Sequence, residues 1–226
     1  MNYENFCKLL KRLFKIRPLK DNSIKIRGNV LFLRHDVDSD FETAVKMAKI
    51  ENEYNIKSTY FMLHTAPYFK IPSFMIKCRY MQNNLGHEIG IHNNVMAVRI
   101  QNKGNPKKTF DRVLEKFRRS GINIYGTSAH GSKACKYKNI DNRYLFSEYC
   151  KKDSINGIKL RTISLKTYNL YGAYNIKHDV YVTDSGGYWH SNGKKIDNII
   201  AFLENLNTSN ERIKIQLLTH PCRWEI

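Results

Sequence analysis

Six short apolar runs in this chain each end in a polar cluster rich in Asp, His, Ser or Gly. Val30 to Leu33 leads into Arg34-His35-Asp36-Val37-Asp38, Thr59 to Leu63 into His64-Thr65, and Glu88 to Ile91 into His92-Asn93-Asn94. Ile124 to Ala129 leads into His130-Gly131-Ser132, Val180 to Thr183 into Asp184-Ser185-Gly186-Gly187-Tyr188-Trp189, and Ile215 to Thr219 into His220-Pro221. Short apolar runs bounded this way read as buried strands. Barrels of alternating strands and helices gather their reactive side chains at the C-terminal ends of parallel strands. Repeated six times, the pattern predicts a single mouth lined with Asp and His.

A chain of 226 residues can bury one full core, so one α/β domain over residues 1–226 is the simplest organisation. No stretch approaches the roughly 20 apolar residues of a membrane helix. Met1 to Phe6 lacks the charged start and apolar core of a signal peptide, which points to a cytoplasmic protein. Cys7, Cys78, Cys135, Cys150 and Cys222 are odd in number and include no Cys-x-x-Cys, which argues against a disulfide framework or a structural zinc knot. The net charge of +18 attracts phosphates, nucleic acid or anionic lipid. Its carriers are spread along the chain without a nucleic-acid motif, so nucleic acid is not an expected partner. An acidic substrate such as a nucleotide-linked sugar, or a membrane-surface location, fits better.

Phe6, Leu9, Leu10, Leu13 and Phe14, with basic residues between them, predict an amphipathic helix at about 3–17 that packs over one end of the domain. Peripheral membrane contact is its lesser use, since no lipidation motif accompanies it. Ser39 or Asp40 can cap a helix carrying Phe41, Ala44, Val45, Met47, Ala48 and Ile50. Further helices are expected at 73–84, 106–120 and 194–205, a short one near Tyr144–Tyr149, and strands at 158–165, 179–183 and 213–219. The alternation implies a parallel sheet with right-handed crossovers.

Asp36 and Asp38, two apart on a strand end, point to one face. Two carboxylates that close repel, and a cation or a shared proton relieves them. A divalent metal on Asp38 would leave Asp36 as general base; the same spacing also suits a solvated pair capping the next helix. His92, beside Gly90, and His130, among Ser128, Ala129, Gly131 and Ser132, have room to act as imidazole ligands, although a strand-end histidine can equally bond backbone. Asp38, His92 and His130 would supply three protein ligands and leave an open position, the arrangement of a catalytic zinc. Asp184, Ser185, Gly186 and Trp189 combine a carboxylate, a close-approach backbone and an aromatic wall, as a sugar-binding loop needs, or else form a tight turn with a packed Trp. His220 titrates near neutrality and can serve as general acid, with Trp224 near enough to wall the pocket. His35, His64, His87, His178 and His190 read as structural or solvated.

Taken together these clusters resemble the NodB-type polysaccharide deacetylases, carbohydrate esterase family 4. His35-Asp36-Val37-Asp38 is similar to the family's first motif, with a base Asp and a metal Asp; Gly86 to Asn94 is similar to its second, and Leu218-Thr219-His220 to its last. The resemblance spans about residues 29–224 and implies a distorted (β/α)7 barrel of the NodB-like glycoside hydrolase/deacetylase fold. It also implies a divalent cofactor, zinc foremost, and hydrolysis of an N-acylated sugar in surface-polysaccharide or nucleotide-sugar metabolism. The chain departs from the family at Met96, where the second metal histidine of His-x-x-x-His belongs, and His130 is the substitute. The family's Arg-containing motif is not evident. Met96 also keeps a metal-free amide or imide hydrolase of the same fold in play, and a catalytically inactive glycan-binding barrel is the reading from another class.

Overall fold

The computed structural model describes residues 1–25, 28–102, 104–208 and 212–226. Helix α1 (Tyr3–Leu13) and strand β1 (Lys15–Arg17) precede β2 (Val30–Val37), α2 (Phe41–Glu53), β3 (Thr59–Leu63), α3 (Phe74–Asn83) and β4 (Glu88–Asn93). Then come α4 (Val95–Asn102), α5 (Pro106–Arg119), β5 (Ile124–Ala129), α6 (Lys133–Tyr137) and the two-residue strands β6 (Ser154–Ile155), β7 (Ile158–Lys159) and β8 (Tyr171–Gly172). The chain ends with β9 (Val180–Thr183), β10 (His190–Ser191), β11 (Lys194–Lys195), α7 (Ile199–Thr208) and β12 (Lys214–Thr219). Seven strands run parallel in the order β9-β12-β2-β3-β4-β5-β8. All six apolar runs of the sequence are among them. The sheet does not pair β8 back to β9 among the described residues, so the barrel is open on that side.

Alternation along β2 explains how one strand serves two layers. Leu31 and Leu33 face the helices and pack with Phe6, Leu10, Ile215 and Leu217. Val30 and Phe32 face inward and join Leu19, Phe61, Ala173 and Ile176 in an apolar floor. Arg34 and Asp36 continue the inward row above that floor. The floor leaves no room on the facing strands. A Cβ on Gly90 would lie 2.4 Å from the Phe61 ring, and one on Gly126 would lie 2.2 Å from the Tyr171 ring.

The amphipathic helix ends earlier than its sequence pattern implies. Phe14 is extended, and Lys15–Arg17 leave the helix to pair with Val30, Leu31 and Phe32. The apolar face of α1 is buried against the barrel wall. Tyr3 anchors it by donating to Glu51, 2.5 Å away. Glu51 is wholly buried and also accepts from Ser58 and Tyr60, with His35 Nε2 at 2.8 Å. Burial opposes its charge, but His35 and His87 hold the carboxyl down at about 2. His87 completes the group by donating through Nε2 to the Ala48 carbonyl.

Other boundaries shift for local reasons. The expected 158–165 strand is broken: Ile158–Lys159 pairs in a hairpin whose turn residues Asn156 and Gly157 both have positive φ, and Ile163 bridges separately to Phe146. Lys194–Lys195 is a strand edge, which delays α7 to Ile199. The short helix near Tyr144 is a 3-10 turn over Asn142–Leu145, and α4 is an element the pattern did not announce. Among the described residues no helix is long and apolar enough to cross a membrane, and all five cysteines are free.

Because Phe61 and the Gly126 carbonyl close on Gly90, Gly90→Ala must displace the floor. Overpacking of this kind costs about 1–3 kcal/mol. Urea unfolding should show that loss; an unchanged midpoint would mean that Phe61 has room to move.

Candidate active site

The C-terminal ends of the parallel strands enclose a cleft of about 350 Å³ lined by Arg34, Asp36, Asp38, His92, His130 and His220. A larger hollow of about 1140 Å³ lies at the opposite end of the barrel, walled by Val30, Ile176 and Lys214. The reactive groups gather in the smaller one, which fits the rule for parallel barrels.

Asp36 is 3% exposed and Arg34 only 1%. Their two-residue spacing on β2 lets Arg34 grip Asp36 with both ends of the guanidinium, Nε to Oδ1 at 3.2 Å and Nη2 to Oδ2 at 2.7 Å. The guanidinium lies between the Phe61 and Tyr174 rings, 5.5 and 5.4 Å from their centres. Burial works against the Asp36 charge, but Arg34 and then His92 outweigh it and hold its carboxyl below the usual range. Arg34 is therefore the partner that orients Asp36.

Asp38 follows the strand end and is partly exposed through Oδ2, while Oδ1 turns inward. His92 Nε2 lies 3.1 Å and His130 Nδ1 3.2 Å from that Oδ1. Oδ1 is buried, and both rings stand at contact distance from it without the alignment of a regular hydrogen bond. One ligand atom from each of Asp38, His92 and His130 thus lies within 4.8 Å of the other two. Donors held by one tetrahedral zinc at 2.0–2.1 Å would sit about 3.3 Å apart, close to these separations. The residues fit a divalent cation. His92 is turned into place by Ser128, 2.7 Å from its other ring nitrogen, and Ser128 in turn lies 3.3 Å from Asp36. Ser128 thus orients the His92 ring as an outer partner would orient a metal-ligating imidazole.

Met96 points nowhere near these donors. It is fully buried among the core residues packed under α4, where an unbranched apolar side chain belongs. His64, at the end of β3, is also outside the donor set. Its Nε2 accepts from the Asn94 backbone, and burial pushes it down to about 4.

Across the cleft, His220 Nδ1 lies 2.5 Å from Asp184 Oδ1. Asp184 Oδ2 accepts from the His220 backbone and from Thr219, and Thr219 receives the Trp224 indole N–H. Burial lowers the His220 proton affinity, yet Asp184 and Asp36 more than offset this and raise its pKa above the ordinary value. His220 Nε2 faces inward, 3.9 Å from Asp38 Oδ2.

The loop expected to bind substrate divides differently from its sequence reading. Ser185 and Gly186 line the cleft. Asp184 does not; its carboxylate is 4% exposed and consumed by His220 and Thr219. Trp189 does not either, because its ring packs on Phe6 and Trp224 behind the loop. The aromatic groups that do line the cleft are Tyr174 and Tyr181, joined by Lys136. Tyr181 is inward by the alternation of β9, a signal present in the sequence; nothing in its surroundings announced Tyr174.

Removing one partner of a buried ion pair is costly because the other charge is left behind. Arg34→Leu should destabilise the fold by about 3–5 kcal/mol. Adding Asp36→Leu should restore most of the loss. If Arg34→Leu alone proves neutral in thermal unfolding, the pair does not hold the barrel interior.

No protein-family model matches the sequence, and no curated protein does. Solved structures do. One is the catalytic domain of peptidoglycan N-acetylglucosamine deacetylase from Eubacterium rectale ATCC 33656, at 13% identity, over 88% of this chain and 79% of that one, with a TM-score of 0.51. A CE4 esterase of Streptococcus mutans aligns at 12% identity over 90% of this chain and 77% of that one, with a TM-score of 0.48. With the seven parallel strands, the first likeness establishes that this chain has the NodB-type deacetylase barrel fold.

Proposed function

We propose that the protein is a metal-dependent N-deacylase of an N-acylated sugar. The observation that carries this reading is the convergence of Asp38 Oδ1, His92 Nε2 and His130 Nδ1 beside an ionised Asp36 and a carboxylate-backed His220. The deacetylase named above has the same fold, which agrees with the chemistry of the cleft.

Asp38, His92 and His130 would hold the cation, zinc being the metal whose ligand set they match. When bound, such a cation polarises an acyl carbonyl and acidifies water. Asp36 takes the proton of the attacking water. The water oxygen bonds to the acyl carbon and the C–N bond breaks. His220 gives its Nε2 proton to the departing amine, while Asp184 holds Nδ1 and stabilises the imidazolium. The products are a carboxylic acid and a free amino sugar. The loop at Ser185 and Gly186 brings backbone close to the sugar. The strongly basic surface favours an anionic sugar, nucleotide-linked or polymeric, in surface-polysaccharide synthesis.

Acetate release from N-acetylated sugars by metal-loaded but not metal-stripped protein tests the reading, and protein that takes up no metal on reconstitution overturns it. Asp38→Ala should abolish metal uptake, whereas Asp36→Ala should keep metal and lose turnover; equal metal loss in both would remove the division of roles.

His220→Ala should keep metal and lose about 10²–10⁴-fold in kcat, the usual weight of a positioned acid. Asp184 raises the His220 pKa, so the acid is protonated to higher pH than an ordinary histidine. Asp184→Asn should therefore move the alkaline limb of kcat to lower pH. A limb that stays put would mean another group sets it.

A further inference from the structure

We infer that Asn142 is a positioning residue that locks His130 into the metal-holding geometry; the inference rests on the deacylase reading above. Asn142 is 1% exposed and lies in the turn after α6, far from any motif of the sequence. Its side chain satisfies three elements at once. Oδ1 accepts from the backbone N–H of Met96 at 2.9 Å and of Ala97 at 3.3 Å, at the start of α4. Nδ2 donates to the His130 carbonyl at 2.7 Å and to Asn94 Oδ1 at 3.0 Å. Its own carbonyl accepts from Asn93 Nδ2 at 2.8 Å.

The consequence falls on His130. This residue sits one position beyond β5, so no strand partner holds its carbonyl. Two bonds tie it to other elements: its N–H donates to the Asn93 carbonyl at 2.9 Å, and its carbonyl accepts from the Asn142 amide at 2.7 Å, besides the Ser132 N–H two residues on at 3.1 Å. The two bonds pin both sides of the residue to the end of β4, the strand that carries His92. They set the backbone from which Nδ1 reaches Asp38 at 3.2 Å. The same amide holds the Met96 backbone while the Met96 side chain sinks into the core. One buried residue thus ties together the place where a ligand is absent and the place that supplies it.

The amide's two ends separate two roles. Asn142→Asp keeps an acceptor for the α4 N–H groups, where a carboxylate is favourable, but sets a carboxylate oxygen against the His130 carbonyl. Asn142→Ala removes both ends without adding a charge and serves if the Asp variant does not fold. Zinc affinity is read by calorimetry or chelator competition on the full chain, with thermal unfolding and circular dichroism of the metal-free proteins alongside. Outer partners of metal ligands typically contribute 10–100-fold in affinity. We expect that loss in Asn142→Asp with cooperative unfolding preserved, and no further loss when the change is added to His130→Ala. Undiminished affinity in a folded clasp variant overturns the inference, as does an effect that persists in full in the His130→Ala background. Wild-type protein that binds no zinc overturns the metal reading, and the clasp's role with it.

Discussion

The ion pair between Arg34 and Asp36 is the constraint on which the site depends. A guanidinium and a carboxylate out of water are tolerated only when each satisfies the other with good geometry. Two-residue spacing on one strand brings both side chains to the same face, and the Phe61 and Tyr174 rings close over the guanidinium. Phe61 can lie there only because Gly90 on the neighbouring strand has no side chain. The apolar floor below and the polar cleft above therefore meet at this pair. Without it, the inward row of β2 would have to remain apolar to the strand end.

From that layer upward, each imidazole of the cleft is oriented by a different device and keeps one nitrogen for the cleft. His92 gives one nitrogen to Ser128 and turns Nε2 toward Asp38. His220 gives Nδ1 to Asp184 and keeps Nε2. The His130 ring meets Asp38 and stands edge-on to the His92 ring, and its backbone is held as well. The three candidate ligands follow the ends of β2, β4 and β5, with β3 between the first two, while His220 and Asp184 follow β12 and β9. On the proposed reading, a substrate amide would meet Asp36 and the triad on one flank and His220 on the other.

Much of this arrangement was legible before any coordinates, because strands and their ends announce themselves by apolar runs that stop. The convergence of Asp38, His92 and His130 followed from placing three such ends side by side. What escaped reading was the partner chemistry. Arg34 stood within the first cluster but was passed over, since a fully buried arginine is rare and only its contact with Asp36 makes it reasonable. Asp184 was read as facing substrate, whereas a short hydrogen bond to a residue 36 positions away claims it. Trp189 has the composition of a sugar platform, yet the α1 helix presents Phe6 to it and its ring packs, half-buried, against the core. Asn142 carries no local signal, for its value lies in contacts with β4, α4 and β5 that no spacing encodes. Strands β8, β10 and β11 are two residues long, too short for periodicity to exist.

The electrostatics of the two flanks leave one chemical requirement. Arg34 holds Asp36 ionised, and a carboxyl held below its usual range is a weak base. Asp184 and Asp36 raise the proton affinity of His220, so it remains charged where an isolated imidazole would not. Environments that push two groups apart in this way mark one as base and the other as acid. A weak base cannot take a proton from ordinary water at a useful rate; it can do so from water already acidified. The donors that would acidify it stand beside Asp36, with His92 Nε2 3.7 Å from its Oδ2. On the proposed reading, a cation on the neighbouring triad would compensate for the weak basicity that Arg34 imposes on Asp36, and the ion pair and the triad would serve one reaction.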